Sequence, residues 1–81
     1  METVFSIDRR LDCSGHLCPV PILMTEEKMG QMRKGEVLEV LFTDPAAHED
    51  LKAWCRMASH EFLSFKKQGN KSLAVIRKAG P

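Results

Sequence analysis

"GEVLEVLFTDPAAHEDLKAWC", residues 35–55, decides the fold. Its first half alternates like a strand. Leu38, Val40 and Phe42 point one way, and Val37 and Leu41 the other. A strand that is apolar on both sides belongs in the middle of a sheet. The second half changes period. Asp44 is a good N-cap and Pro45 a good first helical residue. Ala47, Leu51, Trp54, Cys55 and Ala58 then recur on one face of a helix that runs through Ser59. A central strand leading directly into an amphipathic helix is half of a βαβ unit.

Working toward the N-terminus, "HLCPVPIL" (16–23) opens a helix expected over about 19–33. Pro19 suits the first helical position, where its missing N–H costs nothing. Ile22, Met29 and Met32 share a side, with Leu23 close by, and Glu26, Glu27 and Lys28 face water. Arg33 and Lys34 complement the negative end of this helix, and Gly35 caps it. Before it, Phe5, Ile7, Arg9, Leu11 and Cys13 step by two. This predicts a strand at about 4–11, broken by the turn at Gly15. Toward the C-terminus, two strands at about 61–67 and 72–78 flank the turn "QGN". The order is β-α-β-α-β-β. Right-handed crossovers place both helices on one face. The expectation is an α/β two-layer sandwich: a four-stranded mixed sheet with two helices on one face.

Length and composition agree with one domain spanning residues 1–81. A domain of 81 residues buries only about 60% of the surface its unfolded chain exposes, so a functional site belongs on its surface. Hydrophobic residues at 43% and charged residues at 28% argue against disorder. The formal net charge of +1 gives no global pull toward nucleic acid or an anionic membrane. No apolar run approaches a membrane span, and the N-terminus lacks a signal architecture. A cytoplasmic location follows as the expectation. Three cysteines are too few and too odd for a secreted disulfide scaffold. In a reducing compartment they stay free unless one is used chemically.

Cys18 is the candidate. If Pro19 opens the helix, Cys18 is its N-cap, where partial positive charge and unpaired N–H groups favour thiolate. Pro19 and Pro21 have no N–H, which leaves Val20 as the expected donor to the sulfur. Pro21 also occupies the place of the second thiol in a Cys-x-x-Cys motif. A reactive thiol without a neighbouring resolving thiol is suited to holding a covalent sulfur adduct. The plainer alternative makes Cys18 a small N-cap and the prolines mere helix starters.

"LDCSGHLCPVPIL", "GEVLEVLFTDP", "DLKAWC" and "HEFL" together resemble the TusA/SirA family of small sulfur-carrier proteins, from Leu11 to about Lys78. The Cys-Pro-x-Pro motif is Cys18, Pro19, Val20 and Pro21, and Gly15, Gly35 and Asp44-Pro45 follow in matching order. The sequence departs from the common pattern at His16, Lys52 and Ser59, where leucine, proline and glycine are frequent. The resemblance implies the two-layer fold above. It implies that Cys18 accepts sulfane sulfur as a persulfide and passes it to an acceptor protein. The donor would be a cysteine desulfurase or a rhodanese-type sulfurtransferase. It further implies service in tRNA thiolation, molybdenum-cofactor supply or sulfur oxidation, as a relay rather than a turnover enzyme. No cofactor, metal, membrane or direct nucleic-acid partner is expected, and the free protein is expected to be a monomer.

Other residues have two readings each. Cys13 is a candidate resolving thiol for Cys18, or a small apolar strand residue. Cys55 reads as core. His16, two residues before Cys18, is a candidate thiolate stabiliser, or a solvated loop residue. His48 reads as exposed, and His60 as lying where helix gives way to strand. Lys66, Lys67, Lys71, Arg77 and Lys78 form a basic hairpin, either a charged edge that deters aggregation or a docking surface. A zinc module would need a second ligand pair, and a dithiol oxidoreductase would need a thiol at position 21. An RNA- or protein-binding α/β module without thiol chemistry is the alternative function. Against it, most of the five aromatic residues fall at predicted core positions.

Overall fold

The computed structural model describes residues 6–80. Its elements are β1 (Arg9–Cys13), α1 (Val20–Gly30), β2 (Val37–Phe42), α2 (Ala47–Ala58), β3 (Glu61–Gln68) and β4 (Lys71–Arg77). The four strands form one sheet in the order β1-β2-β4-β3. β1 and β2 are parallel, and β2–β4 and β3–β4 are antiparallel. The expected α/β sandwich with a mixed sheet is therefore present. β2 is central, as its two apolar faces require.

Both helices contact the sheet and each other. Beneath them lie Leu38, Val40 and Phe42 of β2, Ala74 and Ile76 of β4, and Cys13 of β1. Met29, Ala47, Leu51 and Cys55 meet them from the helices. The other face of the sheet is more polar, with Arg10 paired to Glu39 at 3.1 Å across β1 and β2.

Several boundaries differ from the sequence reading. β1 runs from Arg9 to Cys13 rather than over 4–11. Phe5 and the residues before it lie outside the described residues. The strand starts where β2 offers a partner: Arg9 faces Leu38 and Cys13 faces Phe42. Just before it, Asp8 gives its N–H to the Val37 carbonyl at 2.9 Å and accepts the Val37 N–H on its carboxylate at 2.8 Å.

Helix α1 ends at Gly30 rather than at residue 33. Its carbonyl end is not served by Arg33 or Lys34. Lys78 Nζ reaches across from the end of β4 and donates to the carbonyls of Met29 and Met32, both at 2.7 Å. Gly35 is not the cap. Its φ of +95° serves the turn into β2, and its N–H donates to the Lys78 carbonyl at 2.6 Å.

Helix α2 begins at Ala47, two residues later than an Asp44 cap implies, and its N-cap is Ala46. Asp44 instead forms a turn, accepting the Ala46 N–H on Oδ1 at 3.0 Å. At the other end Ser59 takes φ 63° and ψ 31°, the left-handed cap conformation. A side chain is disfavoured there and glycine is not. Ser59→Gly should therefore stabilise the fold by about 0.5–1 kcal/mol, read as a raised urea midpoint with an unchanged slope. An unchanged or lower midpoint would contradict this.

His60 ties down the chain beyond β4. Its Nδ1 accepts the N–H groups of Ala79 and Gly80, each at 3.3 Å. Gly80 is buried, and a Cβ there would lie 2.3 Å from the Ala58 carbonyl oxygen. Burial and then the nearby Lys78 charge lower the His60 pKa from its ordinary 6.5. The folded chain thus prefers neutral His60. The stability this contributes is complete above pH 6.5 and is lost as the pH falls through the lowered folded value. Amide exchange at Ala79 and Gly80 should accelerate relative to β2 amides on going from pH 8 to pH 5. Equal protection at both pH values would refute the tie.

β3 is an edge strand with a register irregularity between Phe62 and Ser64. A two-residue turn joins it to β4, with Gly69 at φ +63°. The expected basic hairpin divides: Lys66, Lys67 and Lys71 are exposed, Arg77 pairs with Glu61 at 3.4 Å, and Lys78 turns inward.

Candidate functional site

Parallel pairing of β1 and β2 sends the segments that follow them out at the same end of the sheet, since Cys13 and Phe42 are register partners. These segments, 14–19 and 43–46, hold each other. Asp12 accepts the N–H and the hydroxyl of Ser14. The Gly15 N–H donates to Thr43 Oγ1 at 2.9 Å, and the Cys18 N–H to Asp44 Oδ2 at 2.6 Å. Gly15, at φ +81°, makes the turn that brings this segment back toward β2.

Cys18 stands at the end of this clasp with its side chain in solvent. Its thiol donates to Asp50 Oδ2 on the first turn of α2 at 2.6 Å. Behind it Pro21 is fully buried, and Thr25 returns a hydrogen bond to the Pro21 carbonyl at 2.8 Å. The Cys18–Pro19 peptide is cis. Around the thiol in sequence, Leu17, Val20 and Leu23 are 72%, 39% and 56% exposed. This part of the chain presents apolar side chains that the core does not use.

Three expectations about Cys18 are corrected. It is not the N-cap of α1: Pro19 holds that position and Val20 is the first helical residue. The Val20 N–H does not serve the sulfur, because it donates to the Leu17 carbonyl at 2.9 Å. The thiol is not acidified. The hydrogen bond to Asp50, slight desolvation and the charges of Asp50 and Asp44 all raise the Cys18 pKa above the ordinary 9.0. Two neighbouring carboxylates outweigh a helix start whose free N–H groups do not reach the sulfur.

The remaining candidates separate. Cys13 is a free thiol at 0% exposure, pushed up to about 11 by burial and then by Asp12. Cys55 is likewise free and buried, and burial pushes it up to about 11. The His16 side chain is exposed and makes no hydrogen bond to Cys18 among the described residues. His48, expected to be exposed, is half-buried and stacks flat on Phe65 with centroids 3.6 Å apart. A cleft of about 590 Å³ lies beside this stack, lined by Phe42, Thr43, Pro45, His48, Phe65 and Lys67 among others, and Cys18 is not part of it. Among the described residues no three His, Cys, Asp or Glu side chains gather as metal ligands would.

Asp50 was not singled out from the sequence. Its only local signal is an acidic residue in the first turn of a helix, a common pairing with the helix dipole. Its contact with Cys18 spans 32 residues and needs the crossover to exist.

Known proteins share this architecture. The SirA-like protein from Desulfitobacterium hafniense superposes with a TM-score of 0.72 over 90% of this chain and 99% of that one, at 21% identity, a likeness of fold. A protein of Aquifex aeolicus named as a candidate sulfur carrier is 42% identical over 72 residues. Those residues are 89% of this chain but only 36% of the relative, so the chain spans little more than a third of that protein's length. The sulfur carrier protein TusA of Allochromatium vinosum is 36% identical over 72 residues, covering 89% of this chain and 95% of that one. No described helix is long and apolar enough to cross a membrane. The family model described as Sulfurtransferase TusA matches residues 9–78, from the first residue of β1 to the lysine that closes α1, and the chain belongs to that family.

Proposed function

We propose that this chain carries sulfane sulfur as a persulfide on Cys18 and relays it between a donor and an acceptor protein. The observation that carries the proposal is the separation of the three thiols: Cys18 alone is exposed, and Cys13 and Cys55 are sealed in the core. The names of the family's members support sulfur transport, and the exposure of Cys18 supports its choice as the carrying atom.

In loading, the Cys18 proton leaves for solvent or a neighbouring base. The thiolate then attacks the terminal sulfur of a donor persulfide. The donor's S–S bond breaks as the Cys18 Sγ–S bond forms, and the donor cysteine departs as thiolate, so there is no net oxidation. Unloading repeats the exchange on an acceptor. A cysteine desulfurase or a rhodanese-type sulfurtransferase fits the donor role in the cytoplasm. Pro19, Val20 and Pro21 shape the segment behind the sulfur. Leu17, Val20 and Leu23 offer an apolar rim to a docking protein, since desolvated side chains carry most of the energy of such contacts. Thiolation of tRNA, molybdenum-cofactor supply and sulfur oxidation are the pathways open to such a relay.

The test is direct. The protein is incubated with a cysteine desulfurase and cysteine, and its intact mass is recorded before and after reduction. A gain of one sulfur atom, reversed by reductant and mapped to Cys18, is the expected result. An unchanged mass beside a family member that loads in parallel would sink the proposal.

A further inference from the structure

The contact between Cys18 and Asp50 has consequences for both directions of transfer. Thiol and carboxylate meet at 2.6 Å, with the sulfur as donor. A thiolate has no hydrogen to donate, so ionisation breaks this contact and sets two like charges side by side. Asp44 adds a second negative charge, while its Oδ2 is engaged by the Cys18 backbone N–H. Of the elements packed around the thiol, the segment before α2 contributes Asp44 and the first turn of α2 contributes Asp50. The segment before Cys18 carries His16, whose exposed side chain makes no hydrogen bond to the thiol or to Asp50 among the described residues. Among the described residues no Lys, Arg or His side chain forms an ion pair with Asp44 or Asp50.

We infer that Asp50 is a latch on Cys18: it holds the unloaded sulfur as a thiol and makes Cys18 a poor leaving group once a second sulfur is attached. The inference rests on the persulfide proposal for its second half only. In the free chain the exposed thiol must ionise beside Asp50 before it can attack anything, so adventitious electrophiles react slowly. In the loaded chain Sγ carries no hydrogen, and the Asp50 hydrogen bond is gone. A nucleophile that takes the terminal sulfur expels Cys18 as thiolate into the same negative surroundings, which slows that step too. The latch opens only when Asp50 loses its charge or its contact with Sγ.

Two small-molecule reactions test this without a partner protein. In the first, iodoacetamide alkylates Cys18: the thiolate displaces iodide and the thiol proton passes to solvent. Site-resolved mass spectrometry follows the rate from pH 6 to pH 10. Asp50→Asn is expected to react several-fold faster at pH 7, up to roughly tenfold for the loss of one like charge, with its pH midpoint moved down. Glu49→Gln, one residue away and exposed, should match the parent. In the second, the Cys18 thiolate takes a sulfur from polysulfide, whose S–S bond breaks as the shortened polysulfide anion departs, and cyanide then attacks the terminal sulfur. Thiocyanate forms, the S–S bond breaks and Cys18 departs as thiolate. Asp50→Asn should release thiocyanate faster by a similar factor.

Equal alkylation rates in the parent and Asp50→Asn overturn the inference. Should that variant fail to fold, the parent decides alone, because an alkylation midpoint below the ordinary 9.0 is incompatible with a latch. If polysulfide leaves no sulfur on Cys18, the carrier proposal fails, while the alkylation arm still judges the role of Asp50.

Discussion

Cys18→Ser is expected to retain no sulfur after treatment with a desulfurase and cysteine, and to fold normally. The hydroxyl has nearly the shape of the thiol and can still donate to Asp50, so the clasp between segments 14–19 and 43–46 loses no contact. Only the nucleophile changes. Serine cannot form a persulfide, and Cys13 and Cys55 cannot substitute. Both are buried thiols whose pKa is about 11, far from the thiolate that attack requires. Cys13→Ala and Cys55→Ala should therefore load to the parent's extent, at some cost in stability. Sulfur found on Cys18→Ser after brief treatment would show that a core thiol becomes accessible, and would remove Cys18 from its assigned role.

The largest loss of stability is expected at Phe42. Its side chain is fully buried at the end of β2. It faces Cys13 on β1 and Ser72 on β4, and its ring lies 6.2 Å from that of Phe65. Phe42→Ala removes this ring from a small core and should cost about 3–5 kcal/mol. A domain of 81 residues has a total stability of roughly 4–12 kcal/mol, so the variant should be largely unfolded or very near it at 37 °C. Urea titration at low temperature measures the difference. A loss below about 1 kcal/mol would mean that the core closes over the gap, contrary to its packing. Phe42 immediately precedes Thr43 and Asp44, so a partly folded variant should also lose the clasp around Cys18 and load poorly.

The fold was legible because its signals are local and redundant. In β2 the two sets of apolar residues, Leu38, Val40 and Phe42 against Val37 and Leu41, announced a strand covered on both sides. In α2 the spacing of Ala47, Leu51 and Cys55 announced one buried face, and those three are the buried residues of that helix. Helix ends were harder. Asp44 has the chemistry of an N-cap, but its two oxygens go to Ala46 and Cys18. Gly35 has the chemistry of a C-cap, but the cation that closes α1 comes from Lys78, more than forty residues away. In both cases a residue with several possible hydrogen-bond partners was claimed by one that local sequence does not display.

The same division runs through the site. From order and period alone the chain determined its strand and helix sequence, the layer arrangement, and the one cysteine followed by the Pro19–Pro21 pair and kept out of the apolar pattern. These follow from side-chain size and hydrophobic periodicity, which act over a few residues. Tertiary structure alone decided the state of that cysteine. Its pKa depends on charges within a few ångströms, and the nearest one, Asp50, arrives through a parallel crossover that places the start of α2 against the segment leaving β1. Electrostatics is read in space rather than along the chain, so a thiol expected to be acidic has its pKa raised instead by its hydrogen bond to a carboxylate 32 positions away.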